Sequence, residues 1–514
     1  MSLNNPIRIL LVSPKTPDSY WKFSGLLGLV GCQAIHAPLA LITVAAIMRQ
    51  TRPECFEFRH IDLNIEPLKH QDIVWADYVF LTGMNIEKGS IRETIERCHQ
   101  QNRPTVVGGT FAQANPSAPE LALAISLVLG EAECLVQELT DDLLRGELKR
   151  SYEQPPGVRA DITTSPVPAY DLLSVEAYHS MTLQTSRGCP HGCEFCGVTV
   201  KDGRRPRYKT PEQVIDELLA IRNTGFQGNV FIVDDNFVGN KAKAKIILQA
   251  MVQQDLPFRY YTQVDVSLAK ENELMDLMVQ AGFQYVFVGL ETPNTKALKE
   301  AGKNQNLGLT PREICETLRR KGLLVYSGLI VGFDSDGPEI FAAMQEMVNE
   351  CAIAMAMVGM LMALPRTKLH TRMEHEGRLV DGSDSNQFSC TNIDPRMGRL
   401  ELIRGFRELI EYFYHPRNFL DRAYRSLKEW QPTKNRRRKV PWREYLAAPK
   451  IIWHQGFSSY AIYWWWFMLK VLITSPSKLP RAFAEGAYAH HFHQYTTEVV
   501  IPRLREAERS LSES

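Results

Sequence analysis

The sequence predicts an α/β protein in which a doubly wound, Rossmann-like N-terminal domain is followed by a (β/α) partial barrel and a mostly helical C-terminal extension. Three observations predict it. Short apolar runs alternate with helical stretches over residues 1–145, the alternation resumes as β/α units over 181–380, and it stops in 381–514. A connector at 146–180 carries Pro155-Pro156, Pro166 and Pro168 and separates the two alternations. With 514 residues the chain can build two or three sizeable cores.

In the first alternation Ile7–Val12, Glu57–Asp62, Tyr78–Leu81, Thr105–Val107 and Leu127–Leu129 read as strands. Leu39–Met48 and Ile86–Gln100 have helical spacing. In a doubly wound sheet a ligand sits beyond the carboxyl ends of the strands. The residues there are small: Ser13-Pro14, Thr82-Gly83, Gly108-Gly109-Thr110 and Gly130-Glu131. Each pair alone is an ordinary turn, but their recurrence at successive strand ends would let a large flat ligand approach the backbone. In the second alternation the strands are Met181–Gln184, Val230–Asp234, Phe258–Val264, Tyr285–Leu290, Val325–Val331 and Met355–Met360. Helical stretches lie between them at 211–223, 241–254, 271–281, 311–321 and 338–351.

Net charge is +1 with 23% charged residues, so no electrostatic bias points to nucleic acid. The N-terminus enters an apolar strand without the basic start and cleavage site of a signal peptide, and the expected compartment is the cytoplasm. Of ten cysteines, seven (Cys32, Cys55, Cys98, Cys134, Cys315, Cys351, Cys390) are scattered and read as small core residues. The other three, Cys189, Cys193 and Cys196, stand in one loop after the first strand of the second alternation. That distribution points to a reduced protein with one cysteine-built site rather than to disulfides. A tight loop can wrap three thiolates round an iron–sulfur cluster, leaving one iron open for a substrate's amino and carboxylate groups. Zinc is the alternative, but a structural zinc takes four ligands, and His191 lies inside the loop between two of the cysteines.

Cys189-X3-Cys193-X2-Cys196, with Phe195 just before the last cysteine, resembles the signature of the radical S-adenosylmethionine superfamily. The resemblance implies a 4Fe-4S cluster on these three cysteines and S-adenosylmethionine as the molecule it cleaves. Three further segments are similar to superfamily motifs in order. Val233-Asp234-Asp235-Asn236-Phe237 would meet the methionine amino group, Gly289-Leu290-Glu291 the ribose hydroxyls, and the Gly328–Gly332 strand with Ile330 the adenine. Carboxylates accept hydrogen bonds from amino and hydroxyl groups, and glycines admit a flat purine. The N-terminal domain resembles the cobalamin-binding class of that superfamily. This implies cobalamin near Ser13, Thr82, Gly83, Gly108, Gly109, Thr110, Gly130 and Glu131. No Asp-X-His-X-X-Gly motif supplies a histidine to cobalt, and His36 reads as a satisfied turn histidine.

Further stretches (234–240, 332–336, 363–367 and 391–395) resemble a subgroup with its own C-terminal extension. It includes hopanoid C-2 methylases and bacteriochlorophyll side-chain methylases. Gly197 departs from its pattern where an acidic residue is expected, and Arg366 stands where glycine is common. The implied activity is methylation of an unactivated carbon in a lipid-like or tetrapyrrole substrate, with an electron from a donor such as flavodoxin or ferredoxin. Rival readings are a radical cyclase or carbon–carbon coupling enzyme with the same cofactors, and a corrinoid-binding sensor or carrier. A methylthiotransferase would need a second cysteine cluster. In the extension, Phe457–Leu469 has no charge and is too short to span a bilayer, which takes ~20 apolar residues. It reads as the core of a capping helix. Contact of 457–470 with the inner face of a membrane is the alternative, aided by Arg443, Lys470 and the basic run at 434–440.

Overall fold

The computed structural model describes residues 5–380, 391–432 and 442–513. Cys390 and the basic run at 434–440 lie outside the described residues, as does the side chain of Arg443. In chain order the strands are β1 (Ile7–Ser13), β2 (Ala34–His36), β3 (Phe56–Asp62), β4 (Tyr78–Thr82), β5 (Thr105–Gly108), β6 (Ser126–Leu129), β7 (Ser151–Glu153) and β8 (Tyr178–Leu183). They continue with β9 (Ser186–Arg187), β10 (Arg207–Tyr208), β11 (Asn229–Ile232), β12 (Arg259–Val264), β13 (Phe283–Glu291), β14 (Leu324–Val331) and β15 (Ala356–Met360). The chain divides into two compact units. One holds residues 1–18, 32–186 and 207–231; the other holds 19–31, 187–206 and 232–514.

The first unit carries a six-stranded sheet in the order β3-β1-β4-β5-β6-β7, parallel throughout. Parallel strands covered on both faces need apolar side chains on both, and Ile9 to Val12 are fully buried in succession. Leu10, Val12, Val79, Leu81 and Val107 pack with Ile91, Ile95 and Phe111 in one core. Strand order reverses at β1, which pairs with β3 on one side and β4 on the other, so the crevice lies past Ser13 and Thr82. The connector holds structure the sequence did not signal. Tyr152 is buried and β7 pairs with β6 as an edge strand. Three residues are too few to display a period. For the same reason β2, which pairs with β8, is not evident in the sequence. His36 sits on β2 rather than in a turn, 4.9 Å from the Phe231 ring, and burial, aided by His179, pushes its imidazole down to about 3.

In the second unit β12, β13, β14 and β15 lie side by side and parallel, the strands of a half-barrel. Helices Asn272–Ala281, Pro311–Arg320 and Glu339–Glu350 separate them in sequence. Pro311 opens its helix behind a Thr310/Glu313 capping box. After β15 the described α-helices are Lys368–His375, Arg399–Tyr414, Pro416–Glu429, Trp442–Gly456, Ala461–Thr474, Leu479–Tyr495 and Ile501–Glu513. The aromatic segment predicted as one stretch is broken before Ala461. Trp464, Phe467, Met468 and Val471 are core, whereas Ile462, Trp465, Trp466 and Leu469 are exposed. No described helix is long and apolar enough to cross a membrane.

Candidate functional site

Gly188 leads into the cysteine loop with φ +96°, a left-handed backbone that glycine takes without strain. A Cβ there would lie 2.9 Å from the Gly203 carbonyl, so only glycine lets the two backbones meet. The loop is then pinned by its backbone: Cys189 N–H donates to Gly203 O, Glu194 N–H to Ala301 O, and Leu369 N–H to Glu194 O. Glu194, between the second and third cysteines, accepts from Arg372 Nη2 at 2.8 Å, and Arg372 Nη1 reaches Asp334 at 2.6 Å. Arg378 holds the other Asp334 oxygen at 2.6 Å. One guanidinium thus ties the cysteine loop to the loop after β14. Phe195 joins the core under this region, its ring 6.1 Å from Phe333.

Two side-chain amides reach the cysteine sulfurs. Asn236 Nδ2 lies 3.8 Å from Cys189 Sγ, and Gln305 Nε2 lies 3.8 Å from Cys193 Sγ. Asn236 is in turn held by Asp265 at 2.7 Å, and the same Asp265 oxygen takes His191 Nε2 at 2.9 Å. His191 is therefore engaged by a carboxylate at the rim of the loop. Burial raises the Cys189 thiol and pushes Cys196 up to about 11, and the neighbouring Cys193 raises both further. Among the described residues no three His, Cys, Asp or Glu side chains are gathered tightly enough for a single metal ion. What fits a cluster here is the donor set itself: three soft thiols in one pinned loop, two of them receiving amide N–H groups.

The strand-end residues predicted to meet S-adenosylmethionine lie in the same unit. Asp234 is fully buried just past β11. Its neighbour Asp235 accepts from Gly188 N–H at 3.3 Å, and its carboxyl is pushed up to about 6 by burial, against the pull of Lys201. Glu291 ends β13 at φ +66°, left-handed backbone that costs a non-glycine residue roughly 1–2 kcal/mol. Its carboxylate is paired with Lys303 at 2.5 Å. Burial works against the Lys303 ammonium, but Glu291 and the cysteines outweigh it and raise its pKa. Gly328 faces Phe287, 3.1 Å from where a Cβ would stand, and Ile330 packs on the Phe195–Phe333 core. Gly332, at φ +97°, gives its N–H to Asp336 at 3.0 Å.

Arg366 also has φ +66°, which is the physical reason a glycine suits that position. Leu364, two residues before it, lies 3.7 Å from where a Cβ on Gly197 would stand, so the two departures from the subgroup pattern fall close together. Sequence reading passed over Asn236 as a donor, together with Asp265, Lys303, Gln305 and Arg372. Asn236 stood inside a motif already singled out. The others carry no local pattern, because Asp265, the Lys303–Gln305 turn and Arg372 reach the site from separate parts of the chain.

In the first unit the predicted small residues lie at the carboxyl edge of the sheet. Ser13 Oγ is 2.9 Å from His60 Nε2. Gly109, at φ +87°, stands so close to β4 that a Cβ would lie 2.3 Å from Thr82 Oγ1 and 2.9 Å from Gly83 N. Thr82, Gly83, Gly108 and Gly109 are half-buried and Thr110 is exposed. That leaves a low edge of backbone and hydroxyls at the switch point, which suits a broad flat cofactor. Gly130 packs against Gln154, and Glu131 is held by Arg207 at 2.7 Å and by Ala160 N–H at 3.2 Å.

A three-thiol loop with strand-end carboxylates and a glycine strand in a half-barrel is the arrangement of a radical S-adenosylmethionine enzyme. Residues 183–348 match the Radical SAM superfamily, and residues 367–502 match a domain of unknown function (DUF4070). The chain is 35% identical over 512 residues to an uncharacterized methyltransferase of Synechocystis sp., covering 97% of this chain and 94% of that one. It is 32% identical over 507 residues to the hopanoid C-2 methylase of Rhodopseudomonas palustris, covering 96% and 94%. The chain belongs to this methyltransferase family of the radical SAM superfamily. The fold is also that of the radical S-adenosylmethionine methyltransferase TsrM from Kitasatospora setae, solved with cobalamin and a 4Fe-4S cluster bound. That likeness has a TM-score of 0.59 at 15% identity, over 94% of this chain and 99% of that chain.

Proposed function

We propose that the protein is a cobalamin-dependent radical methyltransferase that methylates an unactivated carbon of an apolar, ring-fused substrate, a lipid-like molecule or a tetrapyrrole. The observation that carries this reading is the full-length similarity to methyltransferases, one of them a hopanoid methylase. When bound, the cluster would supply the electron that splits S-adenosylmethionine and so opens an unreactive C–H bond, and cobalamin would supply the methyl group. The electron would come from a small donor such as flavodoxin or ferredoxin.

The chain's own residues would divide the work. Cys189, Cys193 and Cys196 hold the cluster, with Asn236 and Gln305 donating to two of the sulfurs. Asp234 and Asp235 take the amino group of S-adenosylmethionine. Glu291, its charge balanced by Lys303, takes the ribose hydroxyls. Gly328, Ile330 and Gly332 give the adenine a flat wall, and Phe195 backs it. Residues 1–145 carry cobalamin on the edge formed by Thr82, Gly83, Gly108, Gly109 and Thr110. The barrel of 181–380 holds the reaction, residues 146–180 connect the two, and 381–514 exclude water from it.

The test is anaerobic reconstitution with iron, sulfide and cobalamin, then mass analysis of product from candidate ring-fused substrates. A gain of ~14 Da is expected for each added methyl, with none from a protein whose three cluster cysteines are alanine, although that protein still binds corrinoid. Product of unchanged or lower mass would point to cyclisation. Product from the triple-alanine protein would overturn the radical chemistry.

A further inference from the structure

Helices Trp442–Gly456 and Ala461–Thr474 carry the strongest exposed apolar surface among the described residues. On the first helix and its end, Trp453 is 69% exposed and Phe457 75%, their rings 5.2 Å apart. On the second, Ile462 (74%), Trp466 (57%), Leu469 and Ile473 (71%) recur at helical spacing on one face. The opposite face of that helix is already spent on the core through Trp464, Phe467 and Val471. Trp465 Nε1 donates to Gly456 O at 3.1 Å, which joins the two helices into one surface. Soluble surfaces scatter such side chains singly; a contiguous set marks an interaction face.

The charges say which partner. No Asp or Glu occurs between Glu444 and Glu485, while Lys450 stands exposed on the first helix. Lys470 projects from the second across the rings of Tyr424 and Trp466, at 5.2 and 5.3 Å. Tryptophans between an apolar stripe and basic side chains match the chemistry of a bilayer interface bearing anionic head groups. Neither helix is long and apolar enough to cross the membrane, so this face would lie along it.

We infer that this two-helix face seats the enzyme on an anionic lipid bilayer, from which an apolar substrate is taken up. The inference deepens the proposed function and rests on it for the nature of the substrate. The test uses the full-length reconstituted protein and phosphatidylcholine vesicles with about one-third phosphatidylglycerol. Wild type should sediment with these vesicles, and less with pure phosphatidylcholine or in high salt. The variant W453S/F457S/I462S/W466S/I473S should bind about tenfold more weakly or worse. All five positions are exposed, so its thermal unfolding should match wild type. K450E/K470E should lose the preference for anionic vesicles. Wild type left in the supernatant, or a serine variant that binds as well, would overturn the inference. So would a wild-type dimer that the serine variant splits into monomers, since the face would then belong to a second copy. Turnover of detergent-dispersed substrate by the serine variant is measured separately. A wild type that methylates but does not bind vesicles removes only the membrane inference, whereas a wild type that binds vesicles without methylating removes only the proposed function.

Discussion

Arg372 clamps the cysteine loop, and replacing it should loosen the cluster without touching a ligand. Its guanidinium gives two bonds to Glu194, at 2.8 and 3.3 Å, and one to Asp334 at 2.6 Å. Charge-assisted bonds of this kind contribute roughly 1.5–3 kcal/mol each when well buried. Arg372 is one-third exposed, and Asp334 keeps its bonds to Arg378, so the sum must be cut by more than half. About 2 kcal/mol then remains to hold Glu194 and the loop around it. In Arg372→Met that energy is lost, and a half-buried Glu194 carboxylate is left without its partner. A loop opening 2 kcal/mol more easily should release iron to a chelator about thirtyfold faster. Arg372→Lys, which keeps the charge but not the planar fork, should fall between the two. The assay is the decay of the cluster's visible absorbance under anaerobic chelator challenge. The reasoning is refuted if Arg372→Met loses iron at the wild-type rate, or if lysine does no better than methionine.

Three further outcomes follow from the same structure. Gly109→Ala would put a methyl group 2.3 Å from Thr82 Oγ1 at a left-handed backbone position; it should lower corrinoid content after reconstitution, read by absorbance, and destabilise the first unit by ~3 kcal/mol. Gln305→Leu removes an N–H donor to Cys193 Sγ; a hydrogen bond worth ~1 kcal/mol corresponds to a fall of about 40 mV in cluster potential, read by a spectroscopic redox titration. Burial pushes the His60 imidazole down to about 4, so the folded state keeps it neutral where the unfolded chain takes a proton below about 6.5. Its share of stability is therefore intact above pH 6.5 and is lost as pH falls towards 4, about 2 kcal/mol by pH 5 in urea unfolding; His60→Gln should flatten that slope.

The alternation of strands and helices is legible in the sequence, because buried parallel strands and amphipathic helices leave periods that survive in one dimension. The apolar runs Ile7–Val12 and Tyr285–Leu290 lie within one or two residues of the bounds of β1 and β13 for that reason. The cysteine loop is legible as well, since three thiols suited to one cluster stand within eight residues. What surrounds that loop depends on the folding of distant segments onto it. Asn236, the Lys303–Gln305 turn and Arg372 come from three separate segments and meet Cys189, Cys193, Glu291 and Glu194 only in space. Structure alone likewise divided the aromatic stretch near 460 between core and surface. Trp464 is buried and Trp465 and Trp466 are exposed, because adjacent residues on a helix point about 100° apart and only packing says which direction holds the core.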